Sequence, residues 1–129
     1  KSVNINIGIQ LFKSLSDESR IRILSLILTN ECMCSSDLEV ILDYTQAKTS
    51  RHLNFMRAAG FLSKKKLNQW TYYSVKDEFS AILNNVILLL EKDSILEEDQ
   101  TAFNTMYSNN TLAIRKLHNS QKRYTLPSL

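Results

Sequence analysis

Between Tyr44 and Lys76 the chain reads YTQAKTSRHLNFMRAAGFLSKKKLNQWTYYSVK, with seven Lys or Arg, His52, six aromatic rings and no Asp or Glu. All thirteen acidic residues lie outside this stretch, together with only nine basic ones, so the total charge of +3 conceals a strong separation. An asymmetry of this kind points to a site for a polyanion. The block also divides in two. Thr45 is placed to cap a helix over Gln46 to Ala59, whose apolar positions are Leu53, Met56 and the Phe55 ring, and Gly60 supplies the left-handed stop. Phe61 to Leu67 and Trp70 to Lys76 then have strand composition around Asn68 and Gln69, where Asn tolerates the positive φ of a tight hairpin.

A basic helix followed by a basic hairpin is the pattern of a winged helix. The expected fold is mostly α with a small β-hairpin, a winged helix-turn-helix with additional C-terminal helices. The 129 residues amount to about one domain. With 43% hydrophobic residues, one Pro and two Gly, they suit a largely helical globule. No apolar run approaches the roughly 18 residues of a membrane span, so no membrane partner is expected. There is no signal pattern and no paired set of well-spaced cysteines, which points to a reducing, cytoplasmic setting. The chain opens on Lys1 and not Met, which leaves room for a preceding arm.

Residues 4 to 15 carry Ile5, Ile9, Leu11, Phe12 and Leu15 mostly along one side of a helix that needs a partner. A core helix follows, with Ser16 as its expected cap, Asp17 and Glu18 at its positive end, and Ile21, Leu24, Ile27 and Leu28 as its buried stripe. Ser35 to Leu42, capped by Ser35 or Ser36, forms with the basic helix a helix-turn-helix pair. Asp77 to Lys92 is apolar over more than half its circumference, so it reads as core and homodimer interface together. Residues 95 to 117 read as helical with a break at Asn109 and Asn110, and the chain after Lys116 as a polar, mobile tail. Residues 1–93 are thus expected to form the DNA-binding and dimerisation domain, and 94–129 a helical extension with a polar tail.

On the basic helix, Gln46, Lys48 and Thr49 with Arg51 are placed to reach base edges, since recognition helices present their N-terminal residues in the major groove. Thr45 stands at the helix start, and Ser50, His52 and Arg57 suit backbone contacts. Lys64, Lys65 and Lys66 on the hairpin could follow the adjacent groove or serve as a charged edge that blocks aggregation. His52 reads equally well as a hydrogen-bonding anchor. Ser50 and His52, two apart on a helix, project to different sides, so a nucleophile and base pair is not expected and no enzyme is predicted. Trp70, Tyr72 and Tyr73 read as packing residues.

The sequences LFKSLSDESRIRILSLI, ECMC, TQAKTSRHLNFMRAAGFLSKKK and QWTYYSV resemble the ArsR-type (ArsR/SmtB) winged-helix repressors over residues 11 to 76. The resemblance implies a homodimer that sits on a roughly palindromic double-stranded operator until an effector, often a metal or metalloid ion, loosens it. Glu31, Cys32, Met33 and Cys34 correspond to the family's thiol motif, although a third Cys is lacking; the late-helix zinc pattern has no counterpart, because the helix from Asp77 contains no His. On a regular helix Cys32 and Cys34 would point about 200° apart, whereas on extended chain they share one side. One soft ion can therefore take both only from non-helical backbone ahead of Ser35, with exposed, low-pKa thiols and a third ligand such as water, a small thiol or Asp37. The plain alternative is two small core residues; a disulfide between them would be strained. The expectation is a DNA-binding repressor with no required cofactor and arsenic(III) or another thiophilic ion as effector. Thiol oxidation, effector-independent regulation and a protein-interaction module remain open alternatives.

Overall fold

The computed structural model describes residues 2–124, with side chains through residue 121. Its elements are α1 (Ile5–Ser14), α2 (Glu18–Asn30), β1 (Met33–Cys34), α3 (Ser35–Leu42), α4 (Gln46–Ala58), β2 (Leu62–Leu67), β3 (Trp70–Val75), α5 (Asp77–Leu88), α6 (Ser94–Ser108) and α7 (Ala113–Tyr124). This is the expected mostly helical winged helix-turn-helix with further C-terminal helices.

The centre is α2. Its cap is Asp17, which accepts from the Arg20 amide at 3.1 Å, and not Ser16, whose hydroxyl donates to the Lys13 carbonyl at 2.8 Å. An ionised cap suits the positive end of the helix better than a hydroxyl. Of the predicted stripe Leu24 and Ile27 are buried and Ile21 and Leu28 only half-buried, while Ile23 and Leu26 are buried as well, because α4, β1, β3, α5 and α6 all pack against this helix. Two polar ties bind it to α6. Arg22 forks onto Asp99 with Nε and Nη2 bonds of 2.9 and 2.8 Å, and Asn30 exchanges amide bonds of 2.9 Å with Gln100.

The hairpin turns at Asn68 with φ 55°, a value that Asn tolerates. It gains a third strand that the sequence pattern did not suggest: β1 pairs antiparallel with β3, in the order β1-β3-β2, with Met33 opposite Tyr73 and Cys34 opposite Tyr72. Because strand side chains alternate, Met33, Leu62, Tyr73 and Val75 share one face and Cys34, Ser63, Lys65, Tyr72 and Ser74 the other. Met33, Leu62, Tyr73 and Val75 of the first face and Cys34 and Tyr72 of the second all belong to the hydrophobic core. Neither Ser35 nor Ser36 caps α3; Cys34 occupies the cap position without a side-chain bond, since the strand runs straight into the helix.

Beyond the hairpin, α5 ends at Leu88, earlier than the predicted Lys92, and turns lead to Asp93, the cap of α6. The break at Asn109 and Asn110 is present, with Asn110 at φ 59°. The expectation of a mobile tail after Lys116 fails, because α7 continues to Tyr124, Leu117 is buried, and His118 Nδ1 lies 2.9 Å from the Tyr107 hydroxyl. Residues 125–129 of that expected tail lie outside the described residues. Phe103, Leu112, Ile114 and Leu117 join the same hydrophobic core as Ile27, Leu38 and Met56. Among the described residues no helix is long and apolar enough to cross a membrane.

Candidate nucleic-acid interface

Thr45 caps α4 as expected, accepting from the Lys48 amide at 3.1 Å, and Gly60 leaves the helix at φ 98°. Between them the helix is two-sided. Thr49, His52, Leu53 and Met56 face the core; Gln46, Ala47, Ser50, Arg51, Asn54, Arg57 and Ala58 face outward. Thr45 and the hairpin lysines Lys64, Lys65 and Lys66 are also exposed. Lys48 is half-buried, its ammonium 3.9 Å from the centre of the Tyr44 ring, a cation–π contact that steadies the chain just before the helix. The outward surface of α4 therefore carries Arg and amide or hydroxyl side chains with no acid. Asn54 belongs to it, four residues after Ser50 and three before Arg57, a spacing that would have marked it.

Two expected contacts fail on burial. Thr49 is fully buried and its hydroxyl donates to the Thr45 carbonyl at 2.9 Å, so it cannot reach a base edge. His52 is 4% exposed and faces Arg20, whose Nη1 lies 3.3 Å from Nδ1. A guanidinium can only donate, so Nδ1 accepts and the neutral ring carries its proton on Nε2. Arg20 also donates to the carbonyls of Lys13 and Ser14 and stacks 4.2 Å from the Phe55 ring centre. It thereby fastens α1 and α2 to the inner side of α4. His52 is the anchor, not a phosphate ligand.

The second predicted site lies on β1. Glu31 ends α2 at φ 73° and ψ −39°, a conformation that L side chains avoid, and turns the chain through Cys32 into β1. Cys34 is on extended backbone at φ −80° and ψ 143°, and Cys32 precedes it by two residues, the spacing at which side chains of an extended chain share a side, as a shared soft ion would need. The expected exposure and low pKa are absent, however. Cys32 is fully buried and Cys34 is 3% exposed, and burial pushes each thiol up to about 12, aided by Glu31 at Cys32 and by Asp37 at Cys34. Desolvation thus outweighs any help from the start of α3. Asp37 is engaged elsewhere, its carboxylate accepting from the amides of Ala113 and Ile114 at 2.8 Å each. Nothing in the sequence could have signalled a partner 76 residues away. Among the described residues no three His, Cys, Asp or Glu side chains gather as a metal-binding group.

Residues 17–64 match the family model described as "Bacterial regulatory protein, arsR family". The arsenical resistance operon repressor of Escherichia coli K12 is 38% identical over 79 residues, which span 61% of this chain and 68% of that protein. The chain belongs to the arsR family. Its fold agrees with solved structures: HlyU from Vibrio cholerae superposes with a TM-score of 0.58 at 26% identity, over 64% of this chain and 90% of that one. The winged helix-turn-helix domain Mb0332 of Mycobacterium bovis, described as homodimeric, gives 0.60 over 70% of this chain and 83% of its own, and at 15% identity speaks for the fold alone. As an arsR-family protein this chain is a DNA-binding transcriptional regulator and not an enzyme. Its α3 and α4 are the helix-turn-helix pair, and β2 with β3 the wing.

Proposed function

We propose that this arsR-family protein is a homodimeric repressor that reads a roughly palindromic operator with α4 and steadies itself on phosphates with the wing. The observation that carries the reading is the outward, acid-free surface of α4. In it Gln46, Ser50 and Arg51, with Lys48 beside them, stand at base-edge positions, and Thr45, Asn54 and Arg57 suit the flanking backbone. Lys64, Lys65 and Lys66 extend the positive surface along the wing. Residues 1–93 carry DNA binding and dimerisation and 94–129 a helical extension; the protein works in the cytoplasm. Arg51→Ala is expected to weaken an operator duplex by about 1–3 kcal/mol while changing random-sequence duplex far less. Lys65→Ala is expected to weaken both alike. Equal effects of the two variants on both duplexes, measured by fluorescence anisotropy, would remove base reading from α4.

The effector we infer is a thiophilic ion, arsenite first, taken by Cys32 and Cys34. The support is their two-residue spacing where the chain enters β1, the position of β1 directly ahead of α3, and the arsenical-resistance role named for the Escherichia coli relative. Two thiols suit a soft ion completed by an external ligand. Such an ion supplies strong bonds to sulfur that repay deprotonation of a buried thiol. Because β1 leads into α3 without a loop, a change in the Cys segment is felt by the helix on which α4 rests. Arsenite under reducing conditions is expected to lower operator affinity by roughly 5- to 150-fold, the usual scale of coupling between sites. The Cys32→Ser and Cys34→Ser variants are expected to lose the response. If the parent holds its operator at saturating arsenite, or both variants respond as it does, the thiols are core residues only.

A further inference from the structure

We propose that α7 is a lid over the Cys32 and Cys34 thiols, latched at its N-terminus by the Asp37 carboxylate, so that reagents reach the sulfurs only when α7 lifts. The inference rests on reading the two thiols as a responsive site and adds what controls access to it.

Strand alternation sets Cys34, with Cys32 two residues before it, on the face of the sheet opposite Met33 and its partner Tyr73. The second face of so small a sheet would ordinarily meet water. Here α7 packs against β1, β3 and α3, with Leu112, Ile114 and Leu117 buried to 1% or less. Farther along, the same face is open. Ser63, Lys65 and Ser74 line a groove of about 770 Å³ with Glu31 and the start of α5, and Tyr72 borders it. Tyr72, at the edge of this groove, is paired with Cys34, where the open part of the face gives way to the part beside α7.

The lid has a hinge and a latch. Asn110, at φ 59°, joins it to α6. The first amides of a helix have no partner within it, and in α7 those of Ala113 and Ile114 donate to the two oxygens of Asp37 at 2.8 Å each. Farther along, Arg115 donates to the Tyr107 carbonyl at 3.1 Å and His118 meets the Tyr107 hydroxyl, which seats the helix on α6. Asp37 stands in the first turn of α3, three residues after Cys34. Lifting α7 therefore takes both amide donors from the Asp37 carboxylate on the helix that supports α4, so access to the thiols and the surroundings of α3 change together.

The test is the rate at which the full chain reacts with 5,5′-dithiobis(2-nitrobenzoate), whose disulfide is attacked by a thiolate with release of coloured thionitrobenzoate. The parent is compared with Asp37→Asn, which removes the charged latch, with Leu117→Ala on the lid, and with Leu83→Ala, a core change on α5. Losing a cap of this kind is expected to speed reaction about 2- to 30-fold in Asp37→Asn, with little dependence on urea below the unfolding transition. Leu117→Ala should also react faster, whereas Leu83→Ala should keep the parent's rate at low urea. If Asp37→Asn reacts at the parent's rate, or if all three variants react in proportion to their global unfolding, there is no lid. Operator release by arsenite is scored separately: its absence removes the sensing reading, while the reagent rates alone decide the lid.

Discussion

At His52, burial decides the direction in which the ring titrates. Burial lowers its pKa, Arg51, Arg20 and Lys48 add to the effect, and Asp17 opposes it. His118 is lowered too, by burial first, with Glu31 opposing and Arg115 assisting. Both rings are therefore neutral in the folded protein at a pH where the unfolded chain, titrating near 6.5, has begun to take up protons. With more protons bound to the unfolded state, stability rises with pH in this window; it is lost as pH falls through the unfolded value towards the lower folded one. The melting temperature should thus hold steady from about pH 8 to about pH 7 and fall on acidification below about 6.5. His52→Gln, which keeps an acceptor for Arg20, should flatten that decline. If variant and parent show the same pH dependence, Arg20 and His52 do not form the tie described here.

Among the elements, α1 and α5 carry more apolar surface than this chain can cover by itself. Ile5, Ile9 and Phe12 on α1, and Ile82, Leu88 and the 84% exposed Leu89 at the end of α5, all face outward. Exposed apolar surface of this kind commonly marks an interface, and the homodimer proposed above would use it. Leu89→Glu should leave the subunit folded, since Leu89 touches no core, and should shift the protein towards monomer at micromolar concentration in sedimentation. A variant that stays as dimeric as the parent would take α5 out of the interface. The elements visible in the sequence are those set by neighbours along the chain: the Thr45 cap, the Gly60 stop and the Asn68 turn each depend on a few adjacent residues. What stayed hidden depends on distant partners. β1 exists because β3 is beside it, α7 is held by Asp37, and helical position alone does not decide that Thr49 turns inward or that His52 is the anchor that meets Arg20.

For the whole molecule, the separation of charge outlasts those local errors. Thr49 and His52 turn inward, yet the outer surface of α4 and the wing keep Arg51, Arg57, Lys64, Lys65 and Lys66 exposed without an acid among them. A folded domain built in this way should be held to DNA largely by counterion release from phosphates. The most direct measurement is the affinity of the parent for an operator duplex and for a random duplex of equal length between about 50 and 200 mM salt. The expected result is a steep linear fall of log affinity with log salt for both, with the operator line lying above the random one. Affinity that is indifferent to salt, or identical for the two duplexes, would contradict the assignment of α4 and the wing as the DNA-reading surface.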